Sequence, residues 1–206
     1  MIIHHDIFIA EGRLIVAEIT ENTDQLFSYF KQDELECVVV SEKHSEKRKR
    51  EFLGTRFILK QIANTVEVCY TQSGKPFPKN GNFHLSISHS ANYIAVFTHP
   101  TREVGVDIEL NTQKMDAVYK RFLSEKEQGY LFDPLDRRKI QIAWSAKEAL
   151  YKIIGHEAVD FSNELEVENF EIAVQGDITA KHISTNNTFD LRYFQSAIYT
   201  MVYCIA

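Results

Sequence analysis

The chain has 206 residues, 44% of them apolar and 25% charged, with a formal net charge of −6. That is enough apolar side chain for a substantial core, as one large domain or two small packed halves, and it excludes a disordered or fibrous chain. The acidic balance argues against nucleic acid as the main partner, because proteins that neutralise a nucleic-acid backbone usually carry a basic excess. Three widely spaced cysteines, Cys37, Cys69 and Cys204, form no CxxC pair and read as reduced thiols of a cytoplasmic protein. The opening MIIHHDIFIAEGR has no basic start leading into a long apolar run, so no signal peptide is expected. The most apolar tail, Ala197 to Ala206, is about half as long as a membrane helix.

In chain order, Ile7 to Ala10 and Leu14 to Ile19 flank Glu11-Gly12-Arg13 and predict a hairpin. A short helix is expected from Asp24 to Phe30, and the apolar run Cys37 to Val40 reads as a buried strand. From Ser41 to Ile62 the pattern is helical. Seven Lys or Arg lie between Lys43 and Lys60, Arg50 and Arg56 among them, against two acids, Glu46 and Glu51. The plain reading of that segment is a solvated charged helix. Val66 to Tyr70 reads as a strand and Gln72 to Pro78 as a loop, punctuated by Gly74, Pro76 and Pro78. Phe83 to Ser88 and Tyr93 to Thr98 predict two strands around His89 to Asn92. A histidine at a strand end, such as His89, is more often structural than a ligand contact.

Val104 to Glu109, VGVDIE, alternates as a strand in which Gly105, Asp107 and Glu109 share one face. Two carboxylates two residues apart on that face lie roughly 7 Å apart along the strand. They repel unless exposed to solvent or bridged by a cation, and hard oxygen ligands of this kind suit Mg²⁺. An exposed edge strand is the alternative. Lys114 to Phe122 is expected to be helical. Ser124-Glu125-Lys126-Glu127 matches a capping box, which gives Glu127 a structural rather than a catalytic role. Pro134 and Arg137-Arg138-Lys139 lead into WSAKEALYK, Trp144 to Lys152, a helix expected to stop near Gly155. At 100° per residue, Trp144, Lys147, Glu148, Tyr151 and Lys152 fall on one face, and Ile142, Ala146, Ala149, Leu150 and Ile153 on the opposite, core face. The first face groups two ammonium groups, a carboxylate and the only tryptophan, a set suited to gripping an anionic ligand beside a metal ion. Its plain alternative is an exposed face with a Glu148–Lys152 pair at i, i+4. Leu165 to Val174, Phe189 to Phe194 and Ile198 to Ile205 read as strands of a second sheet, with no low-complexity segment or short-period repeat.

VGVDIE, followed 37 residues after Asp107 by WSAKEALYK, resembles the paired signature of the 4′-phosphopantetheinyl transferases, (V/I)G(V/I)D then (F/W)(S/C/T)xKE(A/S)xxK. Every specified position is matched, and the bipartite pattern is far more specific than either half. SGKP at Ser73 to Pro76 and SISHS at Ser86 to Ser90 look like the coenzyme A segments of the longer branch, which activates peptide synthetases; the resemblance covers roughly residues 41 to 155.

The resemblance implies an α+β fold of two similar α/β halves related by pseudo-twofold symmetry, here 1–102 and 103–206, acting as a monomer. It implies transfer of the 4′-phosphopantetheine arm of coenzyme A to a serine of an apo carrier protein, whether acyl, peptidyl or aryl, leaving adenosine 3′,5′-bisphosphate. By the same resemblance Asp107, Glu109 and Glu148 hold Mg²⁺ at the pyrophosphate and Lys147 and Lys152 contact phosphate oxygens, while two roles stay open for Glu148: metal ligand alone, or also the base that takes the serine proton, directly or through a metal-bound water. Lys75, Pro76, Ser88 and His89 match the segments around the 3′-phosphate and adenine, with Arg50 and Arg56 the favoured basic residues of the 43–60 segment. Two alternatives stay open: a catalytically silent carrier- or nucleotide-binding module of the same fold, and a Mg²⁺-dependent coenzyme A pyrophosphohydrolase.

Overall fold

A computed structural model describes residues 1–38, 44–72, 74–79, 81–111, 117–155 and 159–206. Internal packing divides the chain into two units, Met1–Glu103 and Val104–Ala206. Strands pair antiparallel throughout both, and helices cover the sheets, so the architecture is mixed α and β.

The first unit opens with the hairpin of β1 (Ile2–Ile9) and β2 (Gly12–Glu18). Its two-residue turn is Ala10-Glu11, both at positive φ, so Gly12 and Arg13, expected in the turn, begin β2 instead. Gly12 answers a packing need: a Cβ there would stand 2.8 Å from the Thr98 carbonyl oxygen. After α1 (Thr23–Phe27), capped by Asn22, comes α2 (Gln32–Cys37), where Cys37 to Val40 was expected to be a strand. Cys37 closes that helix and Val38 caps it, while Val39 and Val40 lie outside the described residues.

The basic segment is α3 (Glu46–Ala63), started by Ser45, whose hydroxyl accepts from the Arg48 amide, and stopped by Asn64 in the left-handed conformation. β3 (Val68–Tyr70) and β4 (Pro76–Pro78) pair as a small ribbon, which corrects the loop expected over Gln72 to Pro78. In a two-stranded ribbon one edge of each strand needs no donor, and proline is tolerated there. β5 (His84–Ser90) and β6 (Tyr93–His99) complete a sheet of order β1-β2-β6-β5. Leu53, Ile58 and Leu59 of α3 bury against Ile15, Ala17, Ile94 and Val96 of that sheet.

The second unit begins with β7 (Val104–Leu110). Of the helix expected over Lys114 to Phe122, the described part is a 3-10 turn at Tyr119–Arg121; residues 112–116 lie outside the described residues. Then follow α4 (Glu125–Leu131), α5 (Arg138–Ile154), β8 (Leu165–Val167), β9 (Gln175–His182), β10 (Asn187–Gln195) and β11 (Tyr199–Ile205). The five strands stand in the order β7-β11-β10-β9-β8. β9 was not anticipated: in QGDITAKH only Ile178 and Ala180 are buried, so little alternation marks it. The core stripe of α5 is as read, with Ile142, Ala146, Ala149 and Leu150 fully buried and Ile153 nearly so. Each buried Ile or Leu side chain among them contributes on the order of 1.5–3 kcal/mol. Among the described residues Cys69 and Cys204 are free thiols, and no helix is long and apolar enough to cross a membrane.

Candidate active site

β7 and α5 meet backbone to backbone. A Cβ on Gly105 would lie 2.0 Å from the Ala149 carbonyl oxygen, so the glycine of the VGVD motif is a spacer of zero thickness between strand and helix. This approach sets Lys152 over the strand, where its ammonium donates to the Val106 carbonyl at 2.7 Å and to Asp107 Oδ1 at 3.0 Å. Asp107 is 3% exposed. One turn back along α5, Glu148 is half-buried, and its carboxyl is pushed up to about 7. Burial is the main cause; Asp107 adds to it, Lys152 opposes it, and Glu109 adds a smaller push. A carboxyl poised there can both release and accept a proton near neutrality.

Lys147 belongs to a different environment from its motif neighbours. Its side chain is fully buried, and its ammonium donates to Glu127 Oε2 at 2.7 Å and to the carbonyls of Phe122, Phe161 and Leu165 at 2.7, 2.8 and 2.6 Å. Three N–H groups facing four acceptors leave none for a ligand. The expected contact of Lys147 with phosphate is therefore corrected: this lysine ties α5 to α4 and to the segment before β8. Burial lowers its pKa and Glu127 opposes that shift. The capping box is present as expected, with Ser124 and Glu127 bonding reciprocally. Glu127, however, also receives Lys147 and the Val167 amide, which its local sequence could not disclose.

In the first unit, α3 carries the expected cations to two different ends. Arg50 donates from Nε to the Glu21 carbonyl at 2.8 Å and from Nη2 to the Ile19 carbonyl at 2.7 Å, so its fork binds the chain leaving β2. Arg56 is only 4% exposed, lies 3.6 Å from the centre of the Phe52 ring, and makes one long bond, 3.4 Å, to the Tyr70 hydroxyl. No carboxylate answers it among the described residues, and burial lowers its pKa. A buried guanidinium is ordinarily paired with a carboxylate; among the described residues two aromatic rings stand in that place. Beside it, Thr55 Oγ1 lies 2.9 Å from His89 Nε2, which joins α3 to β5.

Tyr70 pairs in register with Pro76, so the ribbon brings Arg56 near the segment that carries Lys75 and Pro76. Lys75 makes an ion pair with Glu103 at 2.8 Å, and Glu103 also meets His84 Nδ1 at 3.1 Å. Ser88 is buried within β5. Tyr70, Thr55 and Glu103 carried no motif signal; their parts depend on strand pairing and helix packing.

Known proteins give the same direction as the geometry. Residues 103–205 match the family model of the 4′-phosphopantetheinyl transferase superfamily. A phosphopantetheinyl transferase of Thraustochytrium sp. (strain ATCC 26185 / S-3) is 30% identical over 109 residues, 44% of this chain and 38% of that protein. The 4′-phosphopantetheinyl transferase HetI of Nostoc sp. (strain PCC 7120) is 30% identical over 125 residues, 52% of each chain. The matched stretches thus span about half or less of these relatives. With one half of the chain matched by the model, and the VGVD and WSAKE motifs meeting at β7 and α5 within it, the protein belongs to the 4′-phosphopantetheinyl transferase superfamily.

Proposed function

We propose that this protein transfers the 4′-phosphopantetheine arm of coenzyme A to a serine of an apo carrier protein and releases adenosine 3′,5′-bisphosphate. The observation that carries the reading is Glu148, a carboxyl held near pH 7 beside the Asp107–Lys152 pair. In the reaction the serine oxygen bonds to the phosphorus bearing the arm, the bond from that phosphorus to the bridging oxygen breaks, and the serine proton passes to Glu148. Among the described residues Lys152 spends two of its three N–H groups on Val106 and Asp107, and the third would serve a phosphate oxygen.

Asp107, Glu109 and Glu148 fit a Mg²⁺ ion in their donor chemistry: all are hard carboxylates, and the upward push at Glu148 registers the other two. Among the described residues no three His, Cys, Asp or Glu side chains already converge as a cation site. When bound, Mg²⁺ would neutralise charge on the pyrophosphate. The anion end of coenzyme A falls to Arg56, Lys75, Pro76, Ser88 and His89. Of the two favoured arginines Arg56 is retained, because Arg50 is engaged with backbone carbonyls. The reading places nucleotide recognition in residues 1–102 and transfer in 103–206 of a cytoplasmic monomer with two pseudo-symmetric halves.

The test is mass spectrometry of several apo carriers incubated with coenzyme A, Mg²⁺ and the protein. A gain of one phosphopantetheine on serine is expected. Release of adenosine bisphosphate without any carrier would support the pyrophosphohydrolase instead, and coenzyme A binding with no turnover would support a silent module.

A further inference from the structure

Glu103, the residue before the VGVD motif, ties together three segments of the first unit. Its Oε2 accepts from the Lys75 ammonium at 2.8 Å, and its Oε1 lies 3.1 Å from His84 Nδ1. All three segments are anchored. His84 starts β5 and stands in register opposite His99, the last residue of β6. His99 is buried, and its Nδ1 accepts from the Thr101 and Arg102 amides at 3.2 and 3.0 Å, which folds the chain leaving β6 so that Glu103 arrives beside His84. At Lys75 the amide donates to the Thr71 hydroxyl at 3.0 Å and the carbonyl accepts from the Thr71 amide at 3.0 Å.

Lys75 and Arg56 are both assigned above to the anion end of coenzyme A, and the fold treats them differently. Arg56 is buried and meets no carboxylate among the described residues. Lys75 already has one. The Lys75 and Glu103 side chains are 23% and 41% exposed, so water can replace the contact and the pair parts at small cost. A phosphate arriving at Lys75 meets the carboxylate at the same ammonium, and two anions at one cation repel each other. Glu103 need not swing into solvent when Lys75 turns away, because His84 holds its other oxygen.

We infer that Glu103 is an internal competitor for the nucleotide phosphate: it occupies Lys75 in the ligand-free protein, yields the lysine on binding, and is held meanwhile by His84. The inference rests on the transferase reading above and on Lys75 serving the anion end within it. Its consequence is a moderated grip. The bisphosphate product keeps the nucleotide phosphate of the substrate, so an unopposed Lys75 would hold product as firmly as coenzyme A. A carboxylate placed to reclaim the lysine favours departure. Glu103 thus sets affinity without touching the reacting atoms.

The experiment is calorimetry at low ionic strength, where screening is weakest, with coenzyme A, adenosine 3′,5′-bisphosphate and 3′-dephospho-coenzyme A. The proteins are the wild type, Glu103→Gln, Glu67→Gln, and Lys75→Met with and without Glu103→Gln. Glu67 pairs with Lys79 at 2.6 Å at the other end of the β3–β4 ribbon, so its variant removes the same charge away from Lys75. Glu103→Gln should bind coenzyme A and the bisphosphate about three- to tenfold more tightly and 3′-dephospho-coenzyme A within about twofold of wild type. Glu67→Gln should stay within about twofold for all three, and in the Lys75→Met background Glu103→Gln should add no gain. Unchanged or weaker coenzyme A binding in Glu103→Gln would overturn the competitor. So would a gain that 3′-dephospho-coenzyme A shares, that Glu67→Gln reproduces, or that survives Lys75→Met. Transfer with no such gain removes the competitor alone and leaves the transferase reading standing, whereas absence of coenzyme A binding and transfer in the wild type would sink both.

Discussion

The two long helices dispose of charge in opposite ways. α3 is densely basic, yet most of its cations are answered nearby: Lys47 and Arg48 by Glu51, Lys49 by Glu46, Lys60 by Glu34, and Arg50 by two carbonyls. Arg56 alone among those described stays buried against rings with no carboxylate. α5 carries fewer charges than α3, yet two of its polar groups sit in buried surroundings that shift or strand them, Glu148 by titration and Gln141 by lack of a partner among the described residues. Charge density is therefore a poor guide to where a ligand binds. The informative groups are those the fold buries and leaves incomplete.

The comparison breaks most visibly at Glu148. Glu148→Gln should reduce phosphopantetheine transfer on the order of a hundredfold or more with the fold retained, and Asp107→Ala and Lys152→Ala should behave alike. Near-normal turnover in all three purified variants would remove the catalytic reading. Next in size is Lys147→Met, which strands the buried Glu127 carboxylate and should cost about 3–5 kcal/mol in a denaturant melt. Lys47→Ala on the exposed side of α3 should cost less than about 0.5 kcal/mol. Similar losses for the two lysines would mean that burial does not separate the helices as argued.

Arg56 sharpens the contrast within α3. Arg56→Met should weaken coenzyme A roughly ten- to a hundredfold and erase most of the preference over 3′-dephospho-coenzyme A, whereas Arg50→Met should mainly lower stability. A retained 3′-phosphate preference in Arg56→Met would move that contact to Lys75 or His89.

The smallest effect is on pH. Without ligand and in excess chelator, Glu148 binds its proton with a pKa of about 7 when folded and near its ordinary 4.5 when unfolded. The folded state holds the proton more tightly, so the stabilisation is complete below pH 4.5 and is lost as the pH rises through about 7. The melting temperature should therefore rise between about pH 8 and pH 6, and Glu148→Gln should flatten that slope. Identical slopes in the two proteins would assign the shift elsewhere.

How far the sequence could be read follows the range of the forces involved. α5 and β7 were legible because their apolar residues repeat with the period of the element, and the Ser124–Glu127 box because it closes within four residues. Lys147 was misplaced because the helical wheel puts it beside Glu148 and cannot show that Glu127, twenty residues earlier, waits inside the core. β4 was hidden by its prolines and β9 by its polar surface. Neither Arg56 nor Gln141 differs in sequence from an ordinary surface residue; what distinguishes them among the described residues is burial, without a carboxylate for Arg56 and without a hydrogen-bond partner for Gln141, which only tertiary packing reveals.

The contact between Gly105 and Ala149 has a mechanical consequence. A distance fixed by two main chains has no rotamers to sample and no side chain to compress, so the offset between the strand carboxylate and the helix carboxyl is set with the stiffness of the secondary structure itself. The motif glycine thus works as a machinist's datum: the placements of Asp107, Glu148 and Lys152 are all measured from a surface where nothing can wear or slip.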